Sequence, residues 1–456
     1  MNNHNKTICI HTLGCKVNRA ESDTISGMLE KAGYKTIEDI APADIYIFNT
    51  CAVTNEAERK SRNLITKALK YNPNADIYIL GCASQHDASR FKMPNVKKIY
   101  GTVGKINVVK DILDDEKNAK CINNNSNLVQ KTSKNNKFCE NFNTNCKNKV
   151  NETSSTFEEI PLPKTKRTRA YLRIQDGCDN FCTYCIIPYV RGRSRSRKFD
   201  SVKKEIATLS KYTREIVVTG VNTANYGTDL DEGKTLIDVC DTFNALDNDT
   251  RFRISSLEFI KIIDDNFLRR LKANAHFCDQ FHLSLQSGSD NVLKTMNRHY
   301  TKAEFRRAVK LIRKYFPNAG ITTDIIVGFP TETEEDFLEC IDTCRKCAFT
   351  DIHVFPYSSR SGTVATKMYK ILNGDIVDDR KRRMLNLKSE LHTAFLSSQI
   401  GILQEVLVET TNDGIGEGYS RNFTRCYFHA DKNLHGQFLQ VRPVRLYRDG
   451  VFCDII

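Results

Sequence analysis

The chain has 456 residues, 40% of them hydrophobic and 27% charged, with a formal charge of +13. That length suits about three domains of roughly 150 residues, and no apolar run is long enough to span a membrane. Its 17 cysteines, with no apolar run behind Met1, argue against a secreted disulfide scaffold and are expected to be metal ligands or free thiols in a reducing, cytoplasmic compartment.

The opening run Thr7–Leu13 reads as a buried strand closed by Gly14-Cys15, followed by helical periodicity over 20–33. A second strand, Ile45–Phe48, ends at Asn49-Thr50-Cys51, and a third, Ile77–Leu80, ends at Gly81-Cys82. Strand alternating with helix predicts an open parallel α/β sheet. Ligands gather outside the carboxyl ends of such strands, where Cys15, Cys51 and Cys82 all fall. Three thiols remote in sequence would converge there; three ordinary buried cysteines are the alternative.

Residues 115–157 are rich in Asn and Lys and poor in apolar side chains, the composition of a disordered linker. Its Cys121, Cys139 and Cys146 are not expected to be ligands.

The stretch Gly177–Cys185 is the most informative in the chain. Cys178, Cys182 and Cys185 stand at CxxxCxxC spacing just after the strand-like run Tyr171–Ile174. A 4Fe–4S cluster ordinarily takes four thiolates, so three leave one iron open to a small molecule. A structural zinc loop would need a second Cys or His pair nearby, and none follows.

Alternation resumes with strands at 215–219, 251–255, 280–284, 321–327 and 351–355, and with helices at 303–315 and 333–347. That order fits a partial (β/α) barrel, whose functional groups lie at the carboxyl ends of the strands. Asn222, Ser256, Glu258, Gln286, Ser287 and Gly328 follow those strands and are the candidates for cofactor contact. A basic helix over 379–399 leads to short strands from Glu405 to Phe452, a small β-barrel. Its Tyr419, Arg421 and Arg425 suit base stacking and phosphate contact. The run Arg191, Arg193, Arg195, Arg197 is a second candidate for RNA phosphates, or for the carboxylate of a small cofactor, unless it is a solvated loop.

The CxxxCxxC loop with Tyr184 before its third cysteine resembles the radical S-adenosylmethionine (SAM) enzymes. Over nearly the whole chain the pattern resembles the methylthiotransferases of that class. Thr12–Asn18, Asn49–Thr54, Gln175–Cys178 and Ile186–Arg197 resemble their threonylcarbamoyladenosine branch. Two sister branches are the alternatives: one acting on isopentenyladenosine in tRNA, which usually reads Cys-Gln-Met-Asn at Cys15–Asn18, and one acting on a ribosomal-protein side chain, which usually reads Leu-Gln-His at Leu285–Ser287. Phe259, Thr331 and Ser361 depart from the family's usual Pro, Gly and Pro.

The resemblance implies an N-terminal auxiliary-cluster domain (5–114), a radical SAM domain (164–395) and a C-terminal RNA-binding TRAM domain (398–456). It further implies 4Fe–4S clusters on Cys178, Cys182, Cys185 and on Cys15, Cys51, Cys82. Two SAM molecules would serve methylthiolation of carbon 2 of a modified adenosine beside the tRNA anticodon. No catalytic residue beyond the cluster ligands is expected. The implied partners are tRNA, an electron donor such as flavodoxin or ferredoxin, and a sulfur source; a monomer without membrane attachment is expected. A non-catalytic RNA-binding protein with structural zinc is the reading from another class.

Overall fold

The computed structural model describes residues 6–115, 154–160, 168–258 and 260–456. The expected linker therefore lies, from 116 to 153, outside the described residues, as do its three cysteines and Phe259. The chain forms two compact units, one of residues 1–163 with 189–192, the other of 164–188 with 193–456.

The first unit is a five-stranded, all-parallel sheet in the order β2-β1-β3-β4-β5. Its strands are β1 (Thr7–Thr12), β2 (Lys35–Ile37), β3 (Ile45–Thr50), β4 (Asp76–Gly81) and β5 (Val96–Ile99). Ile8, Ile10, Ile45, Ile47, Tyr78 and Leu80 form one buried face, which packs against Ile25 and Leu29 of helix Lys16–Lys31. β3 is buried at all six residues, as a central parallel strand covered on both faces should be. Helix Asn55–Tyr71 begins where the Thr54 hydroxyl accepts from the Ala57 N–H at 3.1 Å, a cap worth about 1 kcal/mol. β2 and β5 are short edge strands with exposed lysines, too brief to leave an apolar run in the sequence.

The second unit holds two three-stranded parallel sheets, β10-β9-β6 and β11-β12-β13. Here β6 is Arg169–Arg173, β7 Gln175–Asp176, β8 Arg195–Ser196, β9 Glu215–Thr219 and β10 Arg251–Ile254. β11 is Gln280–Gln286, β12 Gly320–Val327 and β13 Asp351–Pro356. Single bridges, Phe252 to Phe277 and Leu257 to Leu283, join the two sheets into an open six-stranded arc. β7 and β8 form a small antiparallel pair beside the cysteine loop.

A 25-residue helix, Gly374–Ser398, leads to a closed barrel of five strands in the order β14-β15-β16-β18-β17. These are β14 (Gln404–Asn412), β15 (Ile415–Ser420), β16 (Arg425–His429), β17 (Phe438–Tyr447) and β18 (Gly450–Ile455). Buried Glu215 on β9 pairs with Arg169, Arg251 and Arg253. The two latter guanidiniums continue to barrel carbonyls: Arg251 to Tyr419 O at 2.8 Å, Arg253 to Ser420 O and Arg421 O at 2.6 Å. One carboxylate thus organises the seam between arc and barrel.

Two candidate cysteine centres

β1, β3 and β4 are neighbours in the first sheet, so the turns at their carboxyl ends lie side by side. Cys15 ends the first turn, Cys51 the second and Cys82 the third. Gly14 has φ of +100°, and a methyl group on it would sit 2.7 Å from the Cys51 sulfur. Only glycine meets both demands. Asn18 ties the first two turns together, donating to Leu13 O at 2.9 Å and Thr50 O at 3.0 Å. The Thr50 hydroxyl binds Leu80 O at 2.8 Å and so links the third.

Cys51 and Cys82 are buried and Cys15 is exposed. Burial pushes the Cys51 thiol up to about 12, and the nearby Cys15 and Cys82 sulfurs add to the shift. Burial raises Cys82 too, opposed by the charges of Arg191 and Lys105. The fully buried Arg191 donates from Nε to the Cys82 sulfur at 3.2 Å and from Nη2 to Asn18 Oδ1 at 2.7 Å. Its Nη1 lies 3.4 Å from Glu21 Oε1, and Lys105 pairs with the same carboxylate. The arrangement places three thiols at neighbouring strand ends, with two buried cations against one carboxylate. A group that draws thiols into the thiolate form fits it.

In the second unit Cys178, Cys182 and Cys185 lie on an irregular loop past β7. Gly177 and Phe181 both take positive φ, +70° and +45°, which prevents a helix and lets the loop curl. The segment 295–298 clamps it: the Asn297 amide donates to Asn180 O and Phe181 O at 3.1 Å, and the Thr183 hydroxyl donates to Thr295 O at 2.9 Å. The buried Arg298 places Nη1 3.5 Å from the Cys182 sulfur and donates to Ser284 O at 2.8 Å. Burial lifts the Cys178 thiol to about 11. Tyr184 packs edge-on against Phe329, next to Gly328 (φ +72°), whose N–H donates to Glu332 Oε2 at 2.7 Å.

Of the expected cofactor residues, the structure brings Asn222 and Glu258 to this loop. Asn222 is buried, donates to the Cys178 sulfur at 3.9 Å, and leaves its Oδ1 without a hydrogen-bond partner. An orphaned buried acceptor beside the cysteines suits a polar cofactor. Glu258 accepts from the Ser284 hydroxyl at 2.7 Å, with Arg298 at 3.6 Å. Ser256 contributes its carbonyl to Thr223, and Gln286 sits at the β11 irregularity with φ of +67°. The Ser287 hydroxyl is engaged locally by the Ser289 N–H at 3.3 Å.

The basic run is a correction. Arg191, Arg195 and Arg197 are all buried: Arg191 serves Cys82, Arg195 bonds Asp176 at 3.1 Å, and Arg197 pairs with Glu205. Desolvated and paired, they are closed to RNA phosphates. Only Arg193 is open, its side chain 74% exposed beside Asp179 and stacked on Phe181. In the barrel, Arg421 spends its guanidinium on the carbonyls of Ala275 and Phe277, and Tyr419 stacks on Phe423 beneath Arg169. Both belong to the seam. Arg425 is held between Glu417 and Asp449. Sequence reading also missed Arg298 and Asn297, which act across more than a hundred residues and carry no local motif.

Residues 172–344 match the Radical SAM superfamily, and residues 7–101 match the uncharacterised protein family UPF0004. The first match implies SAM and a 4Fe–4S cluster, and the Cys178, Cys182, Cys185 loop lies within the matched residues. The threonylcarbamoyladenosine tRNA methylthiotransferase MtaB of Bacillus subtilis is 32% identical over 99% of this chain and 97% of its own. Its namesake from Thermotoga maritima is 34% identical over 98% and 96%. A tRNA-2-methylthio-N(6)-dimethylallyladenosine synthase of Thermoanaerobacter sp. is 33% identical over 95% and 89%. Among solved structures, the apo cobalamin-dependent SAM radical enzyme OxsB superposes with a TM-score of 0.50 at 16% identity, covering 92% of this chain and 64% of that one. With full-length relatives above 30% identity and the three-cysteine loop set on a parallel β arc, the chain belongs to the radical SAM methylthiotransferases, a family of enzymes.

Proposed function

We propose that this enzyme transfers a methylthio group to carbon 2 of N6-threonylcarbamoyladenosine beside the anticodon of tRNA. The observation that carries the reading is the pair of separate three-cysteine sites, one in each unit: one past the carboxyl ends of the parallel strands β1, β3 and β4, the other on the loop that follows parallel β6 and the short β7. Cys178, Cys182 and Cys185 would hold the SAM-binding 4Fe–4S cluster, and Cys15, Cys51 and Cys82 an auxiliary one. Such cofactors, with SAM consumed twice, supply radical and methyl-transfer chemistry equal to an unactivated aromatic C–H.

The chain's own residues prepare both sites. Asn222, with its unpartnered Oδ1, and Glu258, braced by Ser284 and Arg298, would bind polar groups of SAM beside the loop. Ser256, Gln286, Ser287 and Gly328 would complete that wall. Arg191 and Lys105 would offset the thiolates of the auxiliary site.

The five-stranded barrel would be the TRAM module, with its tRNA face on β17 and β18 instead of at the seam. Arg442, Arg445 and Arg448 are exposed there, Arg445 and Arg448 lying over the Tyr447 ring at 5.1 and 5.0 Å. Cations interleaved with rings suit phosphates and bases. A small acidic electron carrier of the flavodoxin or ferredoxin type would reduce a cytoplasmic monomer. No helix among the described residues is long and apolar enough to cross a membrane.

The second reading, transfer to dimethylallyladenosine, rests on the relative from Thermoanaerobacter sp.. Mass spectrometry of tRNA nucleosides from cells lacking the gene separates the two. Loss of the methylthio-threonylcarbamoyl nucleoside, regained on complementation, is the expected result. Loss of the dimethylallyl product instead would move the enzyme to the other substrate.

A further inference from the structure

His282, Asp324 and His353 stand on three adjacent parallel strands, β11, β12 and β13. The register sets His282 opposite Thr322, and Asp324 opposite His353. His282 Nε2 lies 3.1 Å from Asp324 Oδ2, and His353 Nδ1 lies 3.2 Å from Asp324 Oδ1. The imidazoles face each other with centroids 5.4 Å apart, and one ligand atom from each residue falls within 4.8 Å of the others.

Strand alternation fixes the face they occupy. His282 shares its side of β11 with Ser284, the partner of Glu258. Asp324 shares its side of β12 with Ile326, which packs in the cluster that includes Phe329 and Tyr184. The trio therefore lies on the concave face turned toward the cysteine loop, one side-chain layer further down the strands.

We propose that His282, Asp324 and His353 bind one divalent first-row transition-metal cation. Two imidazoles and a carboxylate form a borderline nitrogen–oxygen donor set that suits manganese, iron, cobalt or zinc. Magnesium and calcium prefer oxygen alone. Metal-bound histidines are oriented by a partner on the far ring nitrogen; His282 has one at hydrogen-bonding distance, and His353 has a carboxylate nearby but beyond that distance. His282 Nδ1 faces the Thr322 hydroxyl at 2.8 Å, and His353 Nε2 faces Asp351 Oδ2 at 3.9 Å, where Lys388 also holds Asp351 at 3.0 Å. The His353 side chain is 47% exposed, so the open side of the site is reachable from solvent. Positions not taken by protein would hold water or an oxygen of a substrate in the arc.

The test is a Mn²⁺ titration of the anaerobically reconstituted holoenzyme, following free Mn²⁺ by room-temperature electron paramagnetic resonance, where 4Fe–4S clusters are silent. The expected result is loss of one equivalent of free signal, with nitrogen hyperfine coupling to the bound ion in frozen solution and release by added Zn²⁺. Asp324→Asn and His353→Ala should abolish that uptake, and Thr322→Val should weaken it by about tenfold or more. His353 is half exposed on an edge strand, so its truncation leaves the fold intact and keeps the test valid should Asp324→Asn misfold. Wild-type uptake no greater than that of His353→Ala, or bound Mn²⁺ without nitrogen coupling, would overturn the proposal and leave the trio a hydrogen-bonded brace.

Discussion

Arg191 Nε lies 3.2 Å from the Cys82 sulfur, a buried cation donating directly to a candidate cluster ligand. A positive hydrogen-bond donor on a cluster sulfur favours the reduced, more negative state. Arg191→Ala is expected to shift the auxiliary cluster to a more negative potential, and Arg191→Lys to restore part of the difference. Potentiometric resonance titration in a Cys178→Ala, Cys182→Ala, Cys185→Ala background isolates that cluster. A potential unmoved by Arg191→Ala would reduce the contact to packing.

The two centres should separate by mutation. Cys182→Ala is expected to lower iron from about eight to about four atoms per chain and to abolish reductive SAM cleavage. Cys51→Ala should lose a similar amount of iron, keep the cleavage, and yield no methylthio product. Iron analysis beside a 5′-deoxyadenosine assay reads both. Methylthio product from either variant would contradict the assigned roles.

Glu215 predicts a pH-dependent seam. Burial alone would raise its pKa, but Arg253, Arg251 and Arg169 together hold it well below the ordinary carboxylate range. A depressed carboxylate stabilises the fold fully above its unfolded value of about 4.3, and that contribution fades as pH falls below it. Glu215→Gln removes the carboxylate shared by three guanidiniums, of which Arg169 keeps Glu409 and Arg251 keeps Glu405, and should cost about 3–5 kcal/mol near neutral pH. Denaturant melts of wild type and variant should converge as pH drops below about 4. Parallel curves across that range would exclude this carboxylate as the linked group.

Arg445→Ala with Arg448→Ala should weaken tRNA binding and flatten its dependence on log salt by about one unit per arginine. Arg421→Ala should instead act on stability through its seam carbonyls. Filter binding over a salt series distinguishes them. An unchanged slope in the double variant would place the RNA elsewhere.

The sheets were legible because their buried strands are continuous runs of Ile, Val, Leu and Phe, and the cysteines at their ends were legible by position. Spacing alone was a poorer guide than it looks. Cys340, Cys344 and Cys347 repeat the CxxxCxxC pattern, yet they sit on helix Glu334–Cys347 with all three side chains buried in one stripe. What separates the two motifs is local backbone: Gly177 and Phe181 break the helix at one, and the Thr333–Asp336 capping box starts it at the other. The arginines misled for a related reason. A run of like charges reads as a solvated face unless its carboxylates are known, and Glu21, Asp176 and Glu205 arrive from other segments.

The unequal depth of the first three thiols has a consequence for their reactivity in the free protein. Cys51 and Cys82, buried and held protonated, are poor nucleophiles toward oxidants and alkylating reagents. Cys15, exposed at the head of its helix, is the accessible member. Of these three thiols two are thus chemically sheltered, and a single sulfur is presented to solvent. Oxidative damage to the empty protein should begin at that residue, and cluster assembly would be what finally takes it out of reach.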